Sequence, residues 1–197
     1  MEYFELNSLG DLDDGDLCIL DQAPEGMGAH YSRLCRGNSA VEYFPEDAVV
    51  HMSEDREGLK LASLVGNTKS FLIVHKDVKS IIEEKAGIKD IEYFPFTILN
   101  HKNKPHSADY YFINPLIKLD CLDIEASEVE YWEDTDKVLD VGQFILDRKK
   151  VENAPAIFRV KEEIFTYIVN EDLANAFREK GFTNMILTKL EYSEKSS

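Results

Sequence analysis

Cys121 sits between two carboxylates in Asp120-Cys121-Leu122-Asp123. A nucleophilic cysteine needs its thiolate favoured by a cation or a helix N-terminus. Neighbouring acids act in the opposite sense, so a buried structural thiol is expected. Asp11, Asp13, Asp14 and Asp16 have the acid density of a calcium loop. Such a loop needs Gly at its sixth place and an acid at its twelfth. Counted from Asp11, Gly15 is fifth and Gln22 is twelfth, so the segment reads as a tight acidic turn. His101 and His106 flank a Pro-broken stretch and are not an i, i+4 helical pair; an exposed loop is expected there. His51 and His75 stand alone at strands or strand ends. Gly26-Met27-Gly28 lacks the Lys and Ser/Thr of a phosphate loop and the third Gly of a dinucleotide fingerprint. No Gly-x-Ser-x-Gly elbow is present. The three cysteines (Cys18, Cys35, Cys121) include no Cys-x-x-Cys pair, which disfavours structural zinc and fits a reducing compartment. The expectation is no catalytic constellation, no cofactor and no metal site.

One segment has the chemistry of recognition. Glu128, Glu130, Tyr131, Trp132, Glu133 and Asp134 gather four acids around the only Trp. Tyr and Trp anchor interfaces, and an acidic rim steers a basic partner. The competing reading puts Tyr131 and Trp132 in the core and leaves the acids as a solvated edge. The composition of the segment leans toward that reading.

The whole chain has 38 acids against 22 Lys and Arg, a formal charge of −16 over 197 residues. Double-stranded nucleic acid and anionic membranes both need basic patches, so neither is an expected partner. A basic protein is favoured kinetically, while the excess also serves solubility. It is unevenly spread: −10 in residues 1–60, +1 in 61–110, −5 in 111–150 and −2 in 151–197. Met1–Glu5 lacks the basic and apolar regions of a signal peptide, and no apolar run approaches the roughly 20 residues of a spanning helix. A cytoplasmic protein is expected.

The elements that must carry these residues read as α+β, a mostly antiparallel sheet with two strand–helix–strand units at about 71–99 and 165–192. In the first, Phe71–Val74 is a strand and Asp77 a helix N-cap. Val78, Ile81 and Ile82 form one helical face, Gly87 is a stop, and Ile91–Leu99 is the return strand, with an edge or bulge at Pro95. In the second, Tyr167–Val169 is followed by Asn170 as N-cap, by Leu173, Ala176 and Phe177 as the face, by Gly181, and by Met185–Tyr192. The units align at an offset of about 95 residues, as a duplication or as two copies of a common unit. Short strands are expected at 17–20, 48–52, 110–113, 129–132, 138–146 and 156–160. Residues 21–40 read as irregular loop, and Ser193–Ser197 as a frayed tail. The expected organisation is an acidic region of short strands and loops at 1–60 and an α+β domain at 61–197, or one continuous domain.

Asp109-Tyr110-Tyr111-Phe112-Ile113-Asn114-Pro115, then Leu119-Asp120-Cys121-Leu122-Asp123 and Ser127, then Ile157-Phe158-Arg159, resemble in order the signature of a bacterial immunity-protein family. This is the eleventh immunity family of polymorphic toxin systems. The resemblance covers about residues 70–192 and does not reach clearly into 1–60. It implies a cytoplasmic, non-enzymatic protein that binds and neutralises a cognate protein toxin. It carries over no catalytic residue. Asp123 and Ser127 are expected to shape their turn by side-chain–backbone hydrogen bonds. Two rival readings are a small-molecule-binding or enzymatic α+β domain, with a deep pocket lined by residues such as His51, His75 or Asp123, and a homo-oligomeric interaction domain.

Overall fold

A computed structural model describes residues 1–193. The expected fraying of Ser193–Ser197 therefore lies, beyond Ser193, outside the described residues. The chain opens with β1 (Tyr3–Leu6) and β2 (Ile19–Leu20), then a 3-10 turn at Gly28–Tyr31 that runs into α1 (Ser32–Cys35). There follow β3 (Val49–His51), β4 (Gly66–Asn67), β5 (Leu72–His75), α2 (Lys76–Ala86), β6 (Ile91–Leu99), β7 (Pro105–Pro115) and β8 (Lys118–Leu119). Then come β9 (Val129–Tyr131), β10 (Val138–Val141), β11 (Ile145–Leu146), β12 (Ile157–Val160), β13 (Tyr167–Asn170), α3 (Glu171–Glu179), β14 (Leu187–Lys189) and β15 (Glu191–Tyr192). The class is α+β, with mostly antiparallel pairing. A five-stranded sheet has the order β14-β1-β13-β12-β8, and a four-stranded one β3-β6-β7-β5.

Both strand–helix–strand units form, and both take the same arrangement. β7 lies antiparallel between β5 and β6, and β1 lies antiparallel between β13 and β14. Each helix therefore connects two parallel strands across one inserted strand, which is the physical content of the 95-residue offset. In α3, Asn170 Oδ1 accepts from the Leu173 amide at 3.0 Å, as expected of an N-cap. In α2 the cap is His75, not Asp77: His75 Nδ1 accepts from the Asp77 amide at 3.3 Å. Asp77 sits in the first turn, where its charge complements the helix dipole. Gly87 and Gly181 end the two helices at positive φ (76° and 65°), a conformation that costs a side chain but not glycine.

Three clusters form the core. The α2 face (Val78, Ile82) and the α3 face (Leu173, Ala174, Phe177) meet apolar side chains of both sheets in the central one. Alternation along the strands then buries the opposite faces as well. Ile73 turns toward Cys18, Leu34, Val50, Phe96 and Phe112, and Ile168 toward Tyr3, Cys121, Leu122 and Phe158. This two-sided burial explains why the Leu72–Val74 and Tyr167–Val169 runs are apolar without alternation, and why β12 (Ile157–Val160) is apolar except at Arg159. β1, β2 and β3 pair with β13 and β14, β4, and β6 respectively, so segment 1–60 is interlaced with the rest of the chain.

Four local expectations are corrected. Segment 21–40 contains the 3-10 turn and α1, whose four residues are too few to show a helical period. β7 begins at Pro105, so His106 is on a strand and not in a loop; proline is tolerated at the first residue of a strand. The return strand 185–192 is split. Its first half pairs with β1, but β1 begins at Tyr3, and past Leu190 the chain switches to β11. The apolar stretch 138–146 is likewise two strands, β10 and β11. Pro95 fits its edge reading: β3 flanks β6 only along Thr97–Leu99, leaving the outer side at Pro95 without a ladder partner among the described residues.

Candidate functional site

Cys18, Cys35 and Cys121 are all free and buried, and desolvation pushes Cys18 and Cys121 up to about 12. Glu162 and Asp120 raise Cys121 further. Beside it, Lys150 Nζ binds Asp120 Oδ1 at 2.7 Å and the Leu122 carbonyl at 2.8 Å. Glu162 Oε2 is buried there without a hydrogen-bond partner among the described residues. Burial, and secondarily the Asp120 charge, raise the Glu162 carboxyl above its ordinary value. A raised folded pKa means that the folded state binds the proton more tightly than the unfolded state. Stability then falls as pH rises from the unfolded value through the folded one. Glu162→Gln is expected to raise the melting temperature at pH 7, by an amount that shrinks as pH is lowered toward the ordinary glutamate range. A pH-independent difference in thermal melts would contradict this.

The motifs behind the resemblance converge on one buried knot. Arg159, on β12, is fully buried, and its guanidinium lies 4.3 Å from the ring centroid of Tyr167. Nε donates to the Pro115 carbonyl at 3.0 Å. Nη1 donates to Cys35 and Ile164 carbonyls at 2.8 and 2.9 Å, and Nη2 to the Leu34 carbonyl at 2.7 Å. Nη2 also reaches Tyr167 Oη at 2.9 Å and Asn114 Oδ1 at 3.4 Å. All six acceptors are neutral. The Asn114 amide in turn donates to Glu92 Oε2 at 2.9 Å, which also accepts from the Ala40 amide at 3.0 Å. Gly37 passes so close that a Cβ there would lie 2.7 Å from Arg159 Cδ. The arginine thus fastens α1 and the following turn to β7 and β13.

Asp123 and Ser127 form a clasp. Asp123 Oδ1 accepts from the Ala126 amide at 3.1 Å, and the Asp123 carbonyl from the Ser127 amide at 2.8 Å. Ser127 is buried. Its Oγ donates to the Ile145 carbonyl at 3.0 Å and accepts from the Ile145 amide at 3.1 Å, replacing a strand partner for that residue. The Asp123 amide donates to the same carbonyl at 2.9 Å.

From this clasp the β9–β10 hairpin projects. Val129 opposes Val141, and both pack against the core at its base. Glu130 opposes Asp140, Tyr131 opposes Val138, and Leu139 is the extra residue of a bulge. The turn is closed by the Trp132 amide on the Lys137 carbonyl at 2.9 Å, with Asp134 in the left-handed region (φ 58°). Trp132 is 58% exposed, Tyr131 43% and Leu139 47%, so the core reading of the two aromatics is overturned. All six candidates, Glu128, Glu130, Tyr131, Trp132, Glu133 and Asp134, lie on this one element. Sequence reasoning missed Leu139 and Asp140 on the facing strand. Treating 128–141 as a hairpin closed at Glu133–Asp136 would have found them.

The residues of the pocket reading are not brought together. His51 bonds Glu25 at 2.8 Å and lines an open cleft of about 460 Å³ with Glu54, Glu57, Asn100 and His101. His75 caps α2 and Asp123 closes the clasp, and neither lines that cleft. Among the described residues, no group of three or more His, Cys, Asp or Glu could hold a metal, and no helix is long and apolar enough to cross a membrane. The model of the immunity protein family Imm11 matches residues 12–191 of this chain, well into the N-terminal segment where the signature motifs do not reach. A search of curated proteins finds no match.

Proposed function

The chain belongs to the Imm11 immunity protein family, and from that premise we propose that it binds a cognate protein toxin in the cytoplasm and neutralises it by occlusion, without catalysis. The observation that carries this reading is the family match across residues 12–191. The projecting hairpin with exposed Trp132 supports binding as the means, since large exposed aromatics are the side chains that anchor interfaces. A stable complex needs about 800 Å² from each partner, so the contact extends beyond the hairpin. The formal charge of −16 supports a protein partner over nucleic acid or an anionic membrane.

The reading predicts a toxin gene next to this one, and the test is co-expression with it. Growth is expected to be restored, and a stoichiometric complex to be recovered. Neutralisation at substoichiometric protein, with no complex, would mean that the chain acts as an enzyme on the toxin or its product. No rescue and no complex would overturn the reading altogether.

A further inference from the structure

We propose that the outer face of the β9–β10 hairpin, built by Glu130, Trp132 and Asp140 with the exposed Leu139 of the bulge beside them, is the docking surface for a basic face of the toxin, with a partner arginine or lysine seated between Glu130 and Asp140. This rests on the reading of the chain as a toxin-binding protein. The first ground is exclusion by burial. Most residues of the signature motifs, among them Asn114, Cys121, Leu122, Ser127, Phe158 and Arg159, are buried and hold the fold together, and the exposed Asp109 and Asp120 are each paired with a lysine of this chain, Lys76 and Lys150. The hairpin begins directly after Ser127 and lies outside those motifs. It presents three large side chains to solvent, including the only Trp.

The second ground is electrostatic. Between Glu128 and Asp140 there are six acids and one lysine, a net −5 in 13 residues. Glu130 and Asp140 are direct cross-strand partners. Opposed residues in an antiparallel pair have Cβ atoms about 5 Å apart, and like charges there destabilise the strands. A sheet of only two strands has little to offset that repulsion, whereas a cation placed between the carboxylates removes it and bonds both. Strand alternation puts Trp132 on the same face, next to this pair and opposite Lys137. The face therefore combines an aromatic anchor, an aliphatic neighbour and a two-carboxylate acceptor, complementary to an arginine- or lysine-bearing surface.

The experiment uses the full chain and the toxin that co-expression, by rescue and complex formation, identifies as its cognate partner. Trp132→Ala is expected to weaken binding about thirtyfold or more. The Glu130→Gln, Asp140→Asn double variant is expected to slow association several-fold at low salt and to flatten its salt dependence. Its melting temperature should be equal to or above that of the parent, because the repulsion is gone. That pairing of weaker binding with undiminished stability is what a merely structural role would not produce. Binding by both variants within twofold of the parent overturns the inference and leaves the functional reading intact. Loss of binding in step with a fall in melting temperature assigns the residues to the fold, and overturns it too. A parent dimer in light scattering that Trp132→Ala dissociates would give the surface to a second copy. A parent chain that neither binds nor protects overturns the functional reading itself.

Discussion

Arg159→Ala is expected to destabilise the protein by about 4–5 kcal/mol, among the largest effects available to a single substitution here. Removing the guanidinium leaves the carbonyls of Leu34, Cys35, Pro115 and Ile164 facing one another without donors. Each buried orphan costs about 1–3 kcal/mol, and relaxation or water entry recovers part of the sum. Arg159→Met is the sharper test. Replacing a buried charge with a hydrophobe of similar volume is often neutral, because the desolvation of the charge is recovered. That outcome requires the partners to be content without it, and four backbone carbonyls cannot be mutated away. Arg159→Met should therefore remain severely destabilising. Arg159→Lys should be intermediate, because an ammonium offers three donors without the planar fork or the stacking on Tyr167. Urea unfolding midpoints decide the matter, and a Met variant as stable as the parent would refute the role given to this arginine.

That same residue shows where sequence reading reached and where it stopped. The two strand–helix–strand units were legible because their signals are local. Asn170, Gly87 and Gly181 each act within one turn of a helix, and Leu173 and Phe177 repeat at its period. The third strand inserted into each unit was not legible. β1 reaches β13 across more than 160 residues, and nothing in Tyr3–Leu6 encodes that distance. His75 displaced Asp77 as a cap because its ring reached the helix amide from the last residue of the strand, a matter of backbone path and not of residue preference. Arg159 read only as part of an Ile-Phe-Arg strand. Its six acceptors lie 5 to 125 residues away, most of them backbone atoms that no residue type announces. For the candidate site, the Glu128–Asp134 segment was visible by composition. Its exposure and its facing residues Leu139 and Asp140 depend on the hairpin register.

Ser127→Ala is expected to cost about 2–3 kcal/mol, an effect larger than a small polar side chain ordinarily commands. Ser127 Oγ serves both the amide and the carbonyl of Ile145, and the residue is fully buried, so water cannot take its place without opening the structure. Asp123→Ala should cost less, about 1 kcal/mol, because the Ile145 carbonyl keeps its bond from the Asp123 backbone amide whatever the side chain. The consequence reaches beyond stability, since Ile145 anchors the strand that follows the β9–β10 hairpin and Ser127 is the residue from which it departs. In hydrogen exchange, the amides of Val129, Trp132 and Gln143 should lose protection in Ser127→Ala while those of α2 and α3 keep theirs. Exchange that accelerates evenly across the chain would mean that the clasp supports the whole fold and not the hairpin in particular. If the hairpin loosens selectively, and the hairpin is the docking surface proposed above, a buried residue acts on the affinity by orienting Trp132 and the Glu130–Asp140 pair. Ser127→Ala should then weaken binding through faster dissociation, whereas the charge variants act on association.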